Sequence, residues 1–250
     1  MKKCIFSLVL LISFIGFSQR VEADVLPTED GELTIQPIVH GTLVLSWKEQ
    51  TIYVDPYGGI EKFNGLATPT LILITDIHGD HYNQKTLDGL NTNDATFIVP
   101  QAVMEKLPAK MQQNAKVIGN GEKMDHAGIS IEAIPMYNLP EDESSRHTKG
   151  RGNGYVLTIG GKRIYLSGDT EDIPEMRSLT NIDVAFVCMN LPYTMDVDQA
   201  ASAVNEFKPK IVYPYHYRGQ GGLSDVDAFK VKVTSASPEV EVRLRNWYME

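Results

Sequence analysis

A continuous apolar run, residues 70–75 (TLILIT), ends directly in a cluster of potential metal ligands. An apolar run without polar alternation is typical of a strand in a sheet that is covered on both faces. The cluster that follows contains Asp76, His78, Asp80 and His81 within six positions. A metal site needs further ligands from elsewhere in the chain, so this strand end predicts other segments that converge on it.

Short strand-like runs alternate with helical runs along the rest of the chain. Predicted strands lie at 33–40, 42–47, 51–57, 96–100, 116–119, 129–136, 182–190, 210–216 and 239–246, and a hairpin with a Gly-Gly turn lies at 154–169. Predicted helices lie at 82–90, 101–107, 196–207 and 224–233. This alternation in both halves of a 250-residue chain predicts one layered α/β domain.

Residues 1–23 are a different kind of sequence. Lys2 and Lys3 precede an apolar run of 14 residues, and Ala23 is a small residue after it. This arrangement predicts a secretory signal peptide, since the run is shorter than the roughly 20 residues that span a bilayer. The layered domain is therefore expected at 24–250, exported to the periplasm or the extracellular space without a stable membrane anchor. An uncleaved N-terminal anchor is the alternative.

Charge and cysteine content exclude several classes of function. The formal net charge is −9 and the isoelectric point about 5.2, which argues against a nucleic-acid-binding surface. Cys188 is the one cysteine after the predicted signal peptide, and its apolar surroundings in sequence predict a buried, inert thiol. A zinc site with several cysteines is thereby excluded, and any metal site must use histidine and carboxylate side chains.

Candidate ligands outside the cluster lie where chain segments end. His147 lies in the polar loop 137–153, Asp169 follows the predicted hairpin, and His216 ends a predicted strand. Ligands at several strand ends can converge at one edge of a layered sheet. His40 and His126 lack a comparable set of neighbours in sequence, and both are interpreted as structural.

The first cluster has a local geometry suited to metal binding. Asp76 and His78 are two apart, so in an extended chain they point the same way, and Gly79 allows a bend. Asp80 and His81 then begin the predicted helix, where the helix dipole favours a carboxylate and a neutral imidazole. A helix N-cap at Asp80 with unrelated histidines is the simpler alternative.

The ordered set resembles the metallo-β-lactamase-fold hydrolase superfamily over nearly all of the predicted mature chain. The resemblance implies a four-layer αββα sandwich with two divalent ions, Zn²⁺ first and Mn²⁺ or Fe as alternatives. One ion would take Asp76, His78 and His147, the second Asp80, His81 and His216, and Asp169 would bridge both. The run 42–57 and the loop after His216 look most like the subgroup that includes ascorbate-phosphate lactonase-like and phospholipase D-type phosphodiesterase-like proteins.

One position departs from the family pattern, because Asp76 stands where the family has its first histidine. Three carboxylates with a bridging hydroxide make a two-metal site formally neutral, whereas histidine at 76 would leave +1. A neutral, oxygen-richer site predicts a weaker Lewis acid and readier acceptance of Mn²⁺ or Fe. The hypothesis that follows is that the ion at Asp76 and His78 binds Zn²⁺ more weakly than the second ion.

The resemblance implies a metal-dependent hydrolase that uses a metal-bound hydroxide to cleave an ester-like bond (lactone, phosphodiester or amide) in a small molecule. Asp80 would orient the attacking water and carry its proton. Asp55 is either a partner of a ligand or a plain turn residue. Candidate substrate contacts are Lys149, Arg151, Arg218, Tyr137, Asn138 and Tyr193. The alternatives are a non-catalytic binding protein on the same fold and, less favoured, a β-lactamase; the oligomeric state is left open.

Overall fold

Two seven-stranded sheets form the centre of the computed structural model, which describes residues 20–249. The first sheet contains, in spatial order, β1 (Asp24–Thr28), β2 (Gly31–Val39), β3 (Thr42–Trp47), β4 (Gln50–Val54), β5 (Leu71–Leu73), β6 (Thr96–Val99) and β7 (Ala115–Val117). Its first four strands are antiparallel, and β4 to β7 are parallel. Parallel strands bring their carboxyl ends to one edge of the sheet.

The second sheet repeats this plan. It contains β8 (Lys123–His126), β9 (Ile129–Met136), β10 (Gly152–Ile159), β11 (Lys162–Leu166), β12 (Val184–Cys188), β13 (Ile211–Tyr215) and β16 (Glu241–Val242). Strands β8 to β11 are antiparallel, and β11, β12, β13 and β16 are parallel. A separate two-stranded hairpin joins β14 (Arg218–Gly219) to β15 (Gly222–Leu223).

Helices cover the outer faces of the two sheets. They are α1 (Gln84–Gly89), α2 (Gln101–Met104), α3 (Ala109–Gln112), α4 (Pro174–Arg177), α5 (Val197–Phe207) and α6 (Val226–Ala236), with a 3₁₀ turn at Ile60–Phe63. Leu87, Val103 and Met111 from the first three helices pack on the first sheet. On the second sheet, Phe207 of α5 packs edge to face on Tyr165 of β11. The four-layer αββα sandwich is confirmed.

The apolar strand at 70–75 shows how the sequence specifies these layers. Leu71 and Leu73 face the second sheet, while Ile72 faces the helices, and all three are fully buried. Because both faces are covered, no position in the strand needs to be polar. Helix α5 begins at an equally clear signal, since Asp196 accepts a hydrogen bond from the Gln199 backbone in a capping box.

Of the strand predicted at 239–246, only Glu241–Val242 pair in the sheet, so the prediction is wrong at 239–240 and at 243–246. After this short strand, two arginines bind carboxylates. Arg243 binds Glu241, and Arg245 binds Asp24 at the start of β1. The segment after them buries Trp247 and Tyr248 instead of continuing the strand.

Most of the predicted signal peptide, residues 1–19, lies outside the described residues, and the boundary at residue 23 stays a prediction. Residues 20–23 do contact the domain. The Arg20 guanidinium donates to the carbonyls of Lys62 and Asn64, and the Gln36 side chain donates to the carbonyl of Val21. Within residues 20–249, no helix is both long enough and apolar enough to cross a membrane.

Candidate metal centre

The candidate ligands lie at one edge of the sandwich, where strands of both sheets end. Asp76 follows β5, Asp169 follows β11, and His216 follows β13 directly. His147 is carried by the loop that connects β9 to β10. The seven residues predicted from sequence are therefore brought together from two sheets, at the position where ligands bind to parallel α/β sheets.

His81 is the most firmly positioned of these side chains. Its Nδ1 lies 2.8 Å from Oδ2 of Asp55. Both side chains are buried, as is the neighbouring Thr75. Thr75 holds the carboxylate in place, donating from its backbone N–H at 2.7 Å and from its hydroxyl at 2.6 Å. A carboxylate that accepts from Nδ1–H leaves the Nε2 lone pair free to bind a metal, so Asp55 is the partner of a candidate ligand and not a plain turn residue.

Four side chains converge on one point around His81. Its Nε2 lies 3.2 Å from Asp169, 3.3 Å from Nε2 of His216 and 4.0 Å from Asp80. His216 Nε2 in turn lies 3.3 Å from Asp80 and 3.4 Å from Asp169. Two imidazole nitrogens and two carboxylates thus face the same small volume, as the resemblance implied for the second ion.

A second group of three ligand types lies beside the first. Asp76, His78 and His147 each place one ligand atom within 4.8 Å of the other two. His78 Nδ1 lies 2.6 Å from Asp76, and His147 Nε2 lies 3.2 Å from Oδ2 of Asp169. That same Asp169 oxygen is 3.2 Å from His81, so this carboxylate stands between the two groups, where a bridging ligand would lie.

Hydrogen bonding in the site fits metal ions better than a closed polar network. His78 Nδ1, His147 Nε2 and Asp169 Oδ1 are buried and make no well-aligned hydrogen bond among the described residues, although each lies within 3.4 Å of another ligand-type side chain. Buried polar atoms are rarely left unpaired, because each costs free energy. The Nε2 atoms of His81 and His216 also lie 3.3 Å apart, so their lone pairs would repel each other unless a proton or a metal ion lies between them. The donor set of histidine and carboxylate suits Zn²⁺, Mn²⁺ and Fe.

The acidic groups of the site are held in their charged form. Burial alone would raise the pKa of Asp169, but His216 and His81 hold that pKa well below its usual range. Burial likewise opposes ionisation of Asp80, and contact with His216 and His81 lowers its pKa nonetheless. For His81, burial would lower the pKa, but Asp169 and Asp55 raise it. A metal ion would displace that proton, since imidazole binds metals in its neutral form.

Asp76 has a partner that sequence reasoning did not supply. Arg151 donates from Nε to Oδ1 at 3.1 Å and from Nη2 to Oδ2 at 3.0 Å, which is a bidentate ion pair. The Asp76 side chain is 0% exposed and that of Arg151 20%, so the pair is largely removed from water. Arg151 was predicted as a substrate contact. In the structure its guanidinium binds Asp76, the residue that stands where the family has its first histidine.

Of the loop residues predicted to line the site, one contacts a candidate ligand and others pair with one another. Asn138 supports a ligand, because its Oδ1 accepts from the His147 backbone at 2.8 Å and its Nδ2 donates to the carbonyl of Tyr193. Lys149 is paired with Glu175 and Glu141 and lies over the buried ring of Tyr137.

Two further residues lie at the site, His40, which was interpreted as structural, and Tyr248, which was not predicted. His40, interpreted as structural, places a ring nitrogen within 4.8 Å of ligand atoms of Asp80 and His216. Its Nδ1 lies 3.2 Å from the hydroxyl of Tyr248, whose ring also carries the guanidinium of Arg218. Burial and the nearby His216 lower the pKa of His40 to about 4. His40 has no acidic or histidine neighbour in sequence, so only the fold shows that it lies at the site.

His126, the other histidine interpreted as structural, lies in β8 at the edge of the second sheet.

Backbone conformation also marks this edge. Three non-glycine residues of the site have left-handed φ angles, namely His40 (51°), Asp55 (44°) and His216 (45°). Each follows immediately after a strand, β2, β4 or β13. This conformation is sparsely populated for side-chain-bearing residues, and it is found disproportionately at functional sites. It turns each side chain off its strand into the cleft.

Known proteins agree with this architecture. A family profile described as the β-lactamase superfamily domain matches residues 34–216, which include all the candidate ligands. The chain belongs to the metallo-β-lactamase superfamily. It is 29% identical over 217 residues to a metal-dependent hydrolase of Staphylococcus saprophyticus, covering 81% of this chain and 94% of the relative.

Solved structures give the same assignment. A crystal structure of a Parabacteroides distasonis protein, proposed to be a metal-dependent hydrolase, superposes with a TM-score of 0.81 at 38% identity, covering 91% of this chain and all of that one. A metallo-hydrolase of Ignicoccus hospitalis shares the fold at a TM-score of 0.72 and 24% identity, covering 85% and 94% of the two chains. The chain is thus a metal-dependent hydrolase, as predicted; the ligand role of each residue stays a prediction.

Proposed function

We propose that this protein is an exported hydrolase that holds two divalent ions and cleaves an ester-like bond of a small molecule. The observation that supports this most is the arrangement around Asp169. Its Oδ2 lies 3.2 Å from both His81 and His147, so one buried carboxylate connects two groups of ligand-type side chains. In the first group His81, His216 and Asp80 would hold one ion; in the second Asp76, His78 and His147 would hold the other.

Divalent ions bound there would lower the pKa of a coordinated water and polarise the oxygen of the scissile group. The protein's own residues then have separable tasks. Asp80 is the acidic group best placed to exchange a proton with substrate, because its side chain is 34% exposed whereas that of Asp169 is 4% exposed. Asp55 and Thr75 fix the ring of His81, and Asn138 fixes the backbone of His147.

The substrate class we propose, a lactone, phosphodiester or amide, rests on the subgroup that the sequence resembles and on the charge of the rim. Arg146 lies over Tyr193 and Arg218 lies over Tyr248, so two exposed guanidinium groups stand on the loops that carry His147 and His216. Cations at a cleft concentrate anionic substrates even on an acidic protein. This favours an ester-like substrate that carries a negative group.

Turnover assays test the proposal directly. The mature protein, purified without chelator, is assayed for metal content and for hydrolysis of p-nitrophenyl acetate, a chromogenic lactone, nitrocefin and bis-p-nitrophenyl phosphate. We expect about two ions per chain and chelator-sensitive turnover of an ester-like probe, with both lost in Asp169→Asn and unchanged in the distant control Asp183→Asn. Stoichiometric metal without turnover of any probe would instead support a binding protein.

Export is tested separately by expressing the full chain in a bacterial host and measuring the intact mass of the protein in each cell fraction. We expect a periplasmic or extracellular product whose N-terminus lies near Asp24. Retention of the full-length mass in the membrane fraction would overturn the signal-peptide prediction and favour an uncleaved anchor.

A further inference from the structure

The Asp76–Arg151 pair gives the candidate centre a feature that its donor atoms alone do not. A carboxylate buried without water needs a compensating charge, since an unpaired buried charge is strongly destabilising. In this structure that charge is the guanidinium of Arg151, bound at 3.1 and 3.0 Å. Among the described residues, Asp76 is the one carboxylate that pairs with Arg151.

The backbone contacts of its neighbours fix the position of Arg151. Asn153, two residues on, donates its backbone N–H to the carbonyl of Thr75 at 2.9 Å. Gly152 lies so close that a Cβ on it would stand 2.7 Å from the same carbonyl. The backbone next to Asp76 is therefore hydrogen-bonded to the backbone next to Arg151, which places the guanidinium within reach of the carboxylate.

Arg151 and a metal ion need the same carboxylate. A bidentate guanidinium uses one lone pair on each carboxylate oxygen, and His78 Nδ1 lies 2.6 Å from Oδ2 as well. An ion held by Asp76, His78 and His147 must bind a carboxylate oxygen that already accepts from the guanidinium, or displace the guanidinium. It also brings two positive charges next to a third, which opposes binding at short range.

We propose that Arg151 competes with metal for Asp76, so that the two groups of ligands fill in order. The group of Asp80, His81, Asp169 and His216 has no such competitor in the described residues and binds first and tightly. The group of Asp76, His78 and His147 binds second and weakly. This inference rests on the proposed function, because it assumes that both groups are metal sites. Arg151 is here a positioning residue, which acts through Asp76 on the occupancy of this metal site and not on the substrate.

Zinc titration of the whole mature protein tests the competition. The metal-free protein is titrated with Zn²⁺ against a chromophoric chelator, for the parent, Arg151→Met and Arg146→Met. Arg146 is the matched control, since it lies on the same loop, is exposed, and loses the same charge. In Arg151→Met we expect the dissociation constant of the more weakly bound zinc ion to fall at least about tenfold, which corresponds to the loss of one competing charge-assisted hydrogen bond. In Arg146→Met we expect that constant to change less than about twofold.

A second readout is the stability of the protein with and without metal. Without metal, Arg151→Met removes the guanidinium from buried Asp76 and leaves it with His78 at 2.6 Å, so chemical denaturation should show a less stable protein than the parent. Saturating Zn²⁺ should restore more stability to this variant than to the parent, because the ion replaces the lost cation. If Arg151→Met does not fold, Arg151→Lys retains a positive charge without the bidentate geometry and should tighten the weaker equivalent by a smaller factor.

Two outcomes overturn the inference. Weaker zinc binding in Arg151→Met would show that the guanidinium supports Asp76 as a ligand. Two equally tight equivalents in the parent, unchanged in either Arg151 variant, would show that the pair has no influence on occupancy. Neither outcome affects the proposed hydrolase. Absence of zinc binding by the parent would refute the two-metal proposal itself and is distinguishable in the same titration.

Discussion

Replacing Asp55 with asparagine is the most discriminating change that the structure offers. Asp55 accepts three hydrogen bonds, two from Thr75 and one from Nδ1 of His81. Asparagine has the same shape but one accepting and one donating end. If its amide nitrogen faces His81, two N–H groups meet, and the ring must move its proton to Nε2. A protonated Nε2 has no lone pair for a metal.

The opposite amide orientation offers no escape. If the asparagine oxygen faces His81, the amide nitrogen faces the backbone N–H of Thr75, which now lies 2.7 Å from Oδ1 of Asp55. A buried donor would then be left unpaired. Changes to such partners of ligands typically reduce metal affinity about 10- to 100-fold, or about 1.4 to 2.7 kcal/mol. We expect Asp55→Asn to weaken the tighter zinc equivalent by this amount.

The assay is the chelator competition described above, with circular dichroism to show that the variant is folded. Thr75→Val is the matched control, since it removes the hydroxyl bond to Asp55 but leaves the carboxylate bonded to His81. Its zinc affinity should fall less than that of Asp55→Asn. A folded Asp55→Asn protein with the parent's affinity for both equivalents would refute the role assigned to this carboxylate.

Three further predictions concern the fold. Cys188 is fully buried and burial raises its pKa to about 11, so iodoacetamide at pH 8 should leave the folded mature protein unmodified by mass spectrometry and label it only after unfolding. Phe207→Ala should lower the free energy of unfolding in urea by about 3 to 5 kcal/mol, because a cavity opens against Tyr165. Asp196→Ala removes the capping box of α5 and should cost about 1 kcal/mol in the same assay.

Local sequence signals predicted the elements best where one physical requirement dominated. The strand predicted at 129–136 is confirmed at both ends, and its first five residues alternate between buried and half-buried positions. The helix predicted at 101–107 is only Gln101–Met104. Its last residues are followed by Pro108, which disfavours helical conformation in the residue before it.

The candidate site divides in the same way. Asp76, His78, Asp80 and His81 could be found because they are adjacent in sequence. Their supporting contacts could not be found, because they join distant segments. The bond from Tyr248 to His40 spans 208 residues, which no local pattern records.

The Asp76–Arg151 pair, 75 residues apart in sequence, shows why this matters for chemistry. Considered alone, aspartate in place of the family's histidine adds a negative charge to the centre and predicts a weaker Lewis acid. Considered with Arg151, the position carries no net charge, as a neutral histidine would. Its donor atom remains a hard oxygen, which still suits Mn²⁺ or Fe. The formal charge of this centre therefore matches that of the histidine form, because Arg151 compensates Asp76. The hardness of its donor atom does not match, because Asp76 alone determines it.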